Sequence, residues 1–182
     1  NWGNAFLALL VSLFLQIAVN FANDYSDGVR GTDTHRIGPV RLVASGLASA
    51  SSVKLAALIS CLIAAIAGLV LAINISPWLL AVGAAAIWAA WAYTGGKKPY
   101  GYFGFGELSV FIFFGLVATV GSYYIQTEQF NWQIFLLSIP VGTLSCAILA
   151  INNLRDLPQD KLVGKRTMAV RIGEKNTRVF FS

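Results

Sequence analysis

Five of the eight acidic residues in this sequence fall into two short stretches, "NDYSDGVRGTD" (Asn23 to Asp33) and "NNLRDLPQD" (Asn152 to Asp160). The five are Asp24, Asp27, Asp33, Asp156 and Asp160, and each stretch opens on asparagine. Asn23 and Asp27 stand four apart, as do Asp156 and Asp160. On a helix that spacing puts both side chains on one face, with Cβ atoms about 5–6 Å apart. Carboxylates and amide oxygens, with no thiolate or imidazole among them, form a hard-oxygen donor set suited to Mg²⁺. Mg²⁺ is seldom caged by protein alone; it keeps waters and shares its shell with phosphate oxygens. The expected ligands are Asn23, Asp24, Asp27, Asp33, Asn152, Asp156 and Asp160, with Asp27, Asp156 and Asp160 as the catalytic carboxylates. Arg30, Lys97, Lys98, Arg155, Lys165 and Arg166 are the expected contacts to a diphosphate. The competing account has the acids at helix ends, paired with local bases. Two asparagine-led clusters on one side of a bundle argue against it, whereas the lone Glu128 fits it and Glu107, opening a span, fits it in part.

The elements that must hold these residues are membrane helices. Hydrophobic residues make up 57% of the 182-residue chain and charged residues 12%, about half the charge of a soluble domain. Mean hydropathy is +0.68. Five spans are expected, at residues 3–22, 53–73, 77–93, 108–125 and 132–151, each near the ~20 residues a bilayer requires. No ten-residue alternating pattern suggests barrel strands, so the fold class is an all-α, polytopic membrane helical bundle. Polar residues continue up the helices from each cluster: Ser12, Gln16 and Asn20 above Asp24 and Asp27, and Ser145 and Asn152 above Asp156. In a bilayer such stripes are expected to face a bundle interior or cavity. Pro158, between Asp156 and Asp160, should either kink its helix or begin a new one.

Of the 13 Lys and Arg, 12 fall in three of the five connecting segments, 24–52, 94–107 and 153–178; Lys54 stands just past the first, at the start of the next span, and none falls in the two short connections. Five spans place those three segments on one side, which the positive-inside rule makes cytoplasmic. The net charge of +5 therefore reads as a basic membrane face, with a lipid bilayer as partner and no nucleic acid. His35 is the only histidine, which excludes a multi-histidine metal site. Cys61 and Cys146 lie in apolar blocks without a CxxC spacing and read as small buried side chains. The chain begins with Asn inside a span and ends in "NTRVFFS", the opening of another helix, so residues 1–182 are expected to be one transmembrane domain, incomplete at both ends.

Four motifs carry a family resemblance. "NDYSDGVRGTD" and "INNLRDLPQDKLVGKRTMAVRIG" resemble the two aspartate-rich motifs of the UbiA-type intramembrane prenyltransferases. "THRIGPVRLV" and "YTGGKKPYGYFGFGE" resemble loops of the branch that prenylates 1,4-dihydroxy-2-naphthoate in menaquinone biosynthesis. The resemblance covers essentially the whole chain. It implies a fold of about nine helices, of which five spans and the start of another are present here. It maps the first motif onto Asn23, Asp27 and Asp33, with Asp24 an added acid, and the second onto Asp156 and Asp160. The long gap to Asp33 leans toward the menaquinone branch.

The implied chemistry is Mg²⁺-dependent transfer of a polyprenyl group from polyprenyl diphosphate to the aromatic acid with loss of CO₂, giving demethylmenaquinol. Tyr25, Tyr93, Tyr100 and Tyr102 are candidates to steady an allylic cation. Arg41, beside Arg36, and Tyr93 are the expected acceptor contacts. The Gly-rich loop is a candidate lid. The alternatives are another aromatic acceptor, such as 4-hydroxybenzoate or homogentisate, a non-catalytic lipid-diphosphate binder, and a cation transporter. A transporter would place its acids at mid-membrane on broken helices, not at one face beside bases. The spacing gives neither tail length nor oligomeric state.

Overall fold

The structure, a computed structural model, describes residues 1–33, 38–96 and 98–181. Among these, every regular element is helical: α1 (Trp2–Arg30), α2 (Ala50–Asn74), α3 (Leu79–Thr94), a 3₁₀ turn (Tyr100–Phe103), α4 (Gly106–Thr127), α5 (Trp132–Leu162) and α6 (Met168–Phe181). Polar caps open three of them. Asn1 accepts from the Gly3 and Asn4 amides, Ser49 from Ser52, and Asn131 from Ile134, satisfying donors that a helix start leaves orphaned.

Four helices are long and apolar enough to cross a membrane, and α3 is shorter at 16 residues. The crossings are nevertheless legible from which ends meet. At one end of the bundle Asn4 donates to the Ile125 carbonyl, and Trp78 lies against Tyr124 and Phe130. At the other, Arg30 binds the Thr94 carbonyl and Gln159 reaches the Thr32 carbonyl. α1, α3 and α5 therefore run toward the second end, and α2 and α4 start from it. The three base-bearing segments share that side, as the five-span reading requires. Many large apolar side chains face outward, among them Leu9, Leu62, Trp88, Leu137 and Ile148, the surface a bilayer solvates.

Two of the helices outlast their apolar runs. At 29 residues α1 is about 43 Å long and at 31 residues α5 is about 46 Å, against a hydrocarbon core of about 30 Å. Their last turns project beyond it and carry the acidic motifs as helix. Of the two outcomes expected at Pro158, a fresh helix start does not occur: α5 continues through Pro140 and Pro158 to Leu162, keeping Asp156 and Asp160 in one register. Helix also resumes beyond the break at Gly173, as the closing residues suggested.

α4 and α5 cross at glycine. A Cβ on Gly115 would stand 2.6 Å from the Gly142 Cα, and one on Gly142 would stand 2.7 Å from the Phe111 ring. Only hydrogen at both positions permits that approach, the small-residue contact by which membrane helices pack closely. Gly115 lies within a π-helical segment, Phe111–Val117. Ser12, Gln16 and Asn20, expected to face a bundle interior or cavity, are exposed on α1 among the described residues.

Candidate functional site

The two acidic motifs meet around one lysine. Lys165, in the link between α5 and α6, places Nζ 3.1 Å from Asp27 Oδ2 and 3.9 Å from Asp160 Oδ1. The same ammonium lies 4.6 Å from the centre of the Tyr102 ring, a cation–π distance. The Tyr102 hydroxyl donates to Asp27 Oδ1, so both oxygens of Asp27 are engaged. Thr167 adds a long bond to Asp160 Oδ2 at 3.4 Å. Asp27 and Asp160 are both buried, and two buried carboxylates hold together only with a cation between them. Lys165 fills that role here.

The Gly-rich loop closes over this cluster. Tyr102 belongs to its 3₁₀ turn, and the Tyr102 carbonyl accepts the Arg166 amide at 2.8 Å. Gly104 follows at φ 78°, and a Cβ there would stand 3.1 Å from Arg171 Nε, so both its dihedral and its contact call for glycine. The loop thus spans from the end of α3 to the α5–α6 link. Burial, then the charge of Asp27 and its hydrogen bond, push the Tyr102 hydroxyl above its ordinary pKa, opposed by Arg30. Tyr102 accordingly stays a proton donor to Asp27. Burial likewise raises Tyr100, whose hydroxyl donates to the Ala89 carbonyl at 2.9 Å and meets Ser109 at 2.8 Å.

The other residues singled out from sequence divide. Arg30 directs Nη1 to the Thr94 carbonyl at 2.6 Å and Nη2 to the Gly96 carbonyl at 2.5 Å, capping the end of α3. Its guanidinium also lies 5.4 Å from the Tyr102 ring centre. Asp24 turns away from Asp27: its two oxygens accept the Leu42 and Val43 amides at 2.8 and 3.0 Å. That anchors the segment after the first motif to α1. Asp33 is buried with Arg41 Nε 3.5 Å from its Oδ2, which ties the expected acceptor arginine to the first motif. Arg155 forks onto its neighbour Asp156 at 2.6 and 2.8 Å. Lys98 and Arg166 are exposed, and Asn152 is half-buried. Lys97 and Arg36 lie outside the described residues. The face of Tyr25 takes Lys54 at 5.6 Å, so Tyr25 is turned to a surface base.

Sequence reasoning missed two groups. Tyr102 was a candidate for an allylic cation, not a partner of Asp27; its place one turn before a left-handed glycine was the available signal. Glu107 is buried, accepts the Asn153 amide at 2.9 Å, and belongs to no expected set. The neighbouring asparagines of "NNLRD" were the available signal, since adjacent helix positions point about 100° apart and the two need separate partners.

The residues present fit a Mg²⁺ ion. Asn23 Oδ1 is buried with no hydrogen-bond partner, a turn before Asp27, and Asp27 and Asp160 already share one cation in Lys165. Among the described residues no three carboxylates, thiols or imidazoles gather tightly enough to hold a metal alone. An ion that completes its shell with phosphate oxygens and water requires no such cage.

A family model described as the UbiA prenyltransferase family matches residues 1–182. A 1,4-dihydroxy-2-naphthoate octaprenyltransferase from Mycobacterium tuberculosis is 54% identical over 180 residues, covering 99% of this chain and 62% of the relative. The protein of that name from Escherichia coli is 40% identical, over 96% of this chain and 59% of its own. A 2-carboxy-1,4-naphthoquinone phytyltransferase from Synechocystis is 32% identical, over 95% of this chain and 56% of its own. The chain thus spans about three fifths of the length of these relatives. No solved structure matches it.

Proposed function

Because the chain belongs to the UbiA prenyltransferase family, we propose that it transfers a polyprenyl group from polyprenyl diphosphate to 1,4-dihydroxy-2-naphthoate with loss of CO₂, giving demethylmenaquinol. The observation that carries this reading is the convergence of Asp27 and Asp160 on the one ammonium of Lys165. Two acidic motifs far apart in the chain come together at one end of a membrane bundle, with bases alongside. That end is the cytoplasmic face of the cell membrane, by its monopoly of Lys and Arg.

Asn23, Asp27, Asp33, Asn152, Asp156 and Asp160 would hold Mg²⁺; Asp24, committed to backbone amides, is left out of the set. When bound, Mg²⁺ supplies positive charge against the departing diphosphate. Lys165 exchanges its carboxylates for phosphate oxygens, and Lys98, Arg155, Arg166 and Lys97 add further cationic contacts. Tyr102 keeps Asp27 in its rotamer through the exchange. Tyr102 and the 3₁₀ turn it belongs to, Tyr100–Phe103, cover the site and exclude water from the allylic carbon as its C–O bond breaks. The ring carbon bearing the carboxylate bonds to the allylic carbon, and the electron pair of the departing CO₂ restores aromaticity. Arg41 and Tyr93 serve the acceptor, Arg41 through the acceptor's carboxylate.

The test is the complete protein in detergent with Mg²⁺, a polyprenyl diphosphate and a panel of aromatic acids, with products read by mass. Demethylmenaquinol from dihydroxynaphthoate is expected. Product from 4-hydroxybenzoate or homogentisate alone would move the protein to another acceptor branch, and no product from any acceptor would overturn the reading.

A further inference from the structure

Glu107 is 7% exposed and opens α4 just inside the charged end of the bundle. Its Oε1 accepts the Asn153 amide at 2.9 Å. Its Oε2 is buried and has no hydrogen-bond partner. Among the described residues no base forms an ion pair with it. A buried carboxylate oxygen with an open acceptor site calls for a donor.

The surroundings fix where that donor would sit. Asn153 precedes Asp156 by three residues on α5, about 4.5 Å along the axis toward the membrane interior, and precedes Asp160 by about 10 Å. The diphosphate cluster is therefore nearer the surface, and Glu107 lies on its membrane side. Tyr93 packs over Gly106, its hydroxyl 3.3 Å from where a Cβ on Gly106 would stand. Gly106 immediately precedes Glu107, so Tyr93 lies against the first turn of α4, which carries the open carboxylate. Thr94, next to Tyr93, is buried with its Oγ1 likewise unpartnered. An open carboxylate oxygen on the membrane side of the two acidic motifs, one residue from the glycine that Tyr93 covers, is an acceptor for a hydroxyl-bearing aromatic ring.

We propose that Glu107, positioned by Asn153, is the hydrogen-bond acceptor for a ring hydroxyl of the aromatic substrate. This rests on the reaction proposed above and adds the group that recognises the acceptor's hydroxyl, distinct from any contact to its carboxylate. The hydroxyl donates to Oε2, which orients the ring beneath the allylic carbon and pushes electron density toward the ring carbon that attacks.

The experiment measures binding and turnover separately in the complete protein. Binding of 1,4-dihydroxy-2-naphthoate and of 2-naphthoate, its hydroxyl-free analogue, is followed by tryptophan quenching, for wild type and Glu107→Gln. Wild type should favour the dihydroxy acid by at least about tenfold. Glu107→Gln should lose most of that preference, bind 2-naphthoate as before, and leave the KM for the prenyl diphosphate unchanged. Equal weakening toward both acids, or a rise confined to the diphosphate KM, would overturn the proposal. If Glu107→Gln does not accumulate in membranes, the wild-type ratio decides, and equal affinity for the two acids defeats it. A wild type that binds with the expected preference but makes no prenylated product would sink the reaction and leave the hydroxyl site standing; an active wild type indifferent to the hydroxyls would do the reverse.

Discussion

The same helices end twice, and the two ends are built from different materials. At the end holding Asn1, Trp78 and Phe130, the contacts are neutral or short-range. The Ile125 carbonyl receives Asn4 of α1, Asn131 donates to Tyr123 at 2.7 Å, and Tyr124 stacks on Phe130 at 4.5 Å between centroids. Every partner there is supplied by the chain itself. At the other end the contacts are Asp27–Lys165–Asp160, Asp33–Arg41 and Arg155–Asp156. Asn23, Thr94 and Glu107 meanwhile keep buried oxygens without partners. Stacked rings and amide bonds lose energy if disturbed and gain nothing from a ligand. Ion pairs of buried carboxylates are different, since a stronger cation can replace the lysine without leaving either acid exposed. One end is closed chemistry, and the other is held ready for exchange.

The comparison breaks outright if the two ends lie on the same side of the membrane. With Cys61 and Cys146 replaced by alanine, single cysteines at Lys98 and Lys161, both exposed, should resist an impermeant thiol reagent in intact cells. One at Gln129, exposed at the far end, should react. Labelling of all three from outside would end the topological argument.

The next largest effect is on catalysis. Asp27→Asn and Asp160→Asn each remove a charge while nearly keeping shape, and turnover should fall by about 10²-fold or more. Protein levels in membranes should hold, since Lys165 retains the other carboxylate. Glu128→Gln at the opposite end should leave turnover within twofold of wild type. Equal activity in all three would reduce the charged end to ordinary helix-end ion pairing.

Tyr102→Phe sharpens the comparison within the charged end. It keeps the ring under Lys165 but removes the hydroxyl that holds Asp27 Oδ1 and receives Arg30 Nη1 at 3.4 Å. A hydrogen bond to a charged group contributes about 1.5–3 kcal/mol, so kcat/KM for the prenyl diphosphate should drop roughly tenfold. Unchanged kinetics would mean that the loop covers the site without positioning Asp27.

How much of this was legible beforehand follows the physics of each feature. The spans, and which connecting segments share an end, were readable because apolar length and the placement of Lys and Arg are properties of the chain alone. The convergence of the motifs was readable too, because parity puts both at one end. Helix boundaries were short by about ten residues at Asp160, since the hydrophobic pattern stops where the bilayer does and the backbone hydrogen bonds do not. Asp24 illustrates a different limit. Its composition and spacing match a metal ligand, yet its partners are the Leu42 and Val43 amides, which depend on how a distant segment folds back. Glu107 was hidden for the same reason: the partner of its carboxylate, Asn153, is 46 positions away. The Ser12, Gln16 and Asn20 stripe was visible in sequence, but what lies against it was not.

The smallest expected effect lies at the quiet end. Glu128 closes α4 with φ 56° and ψ 22°, its amide donating to the Tyr124 carbonyl at 2.7 Å. Among the described residues it is the one non-glycine with positive φ. A side chain in that conformation costs roughly 1–2 kcal/mol, which Glu128→Gly would relieve. Glycine also gives the unfolded chain more freedom, returning about 0.5–1 kcal/mol of the gain. The exposed Glu128 carboxylate makes no described ion pair, so little else is lost. The net should be a slight stabilisation, under about 1 kcal/mol, seen as a small rise in thermal midpoint in detergent. Because this end offers nothing to a substrate, kcat and both KM values should not move. A kinetic change in Glu128→Gly, with the midpoint unchanged, would mean the two ends are coupled through α4 and its π segment, and that the division between a closed end and an exchanging one is too sharp.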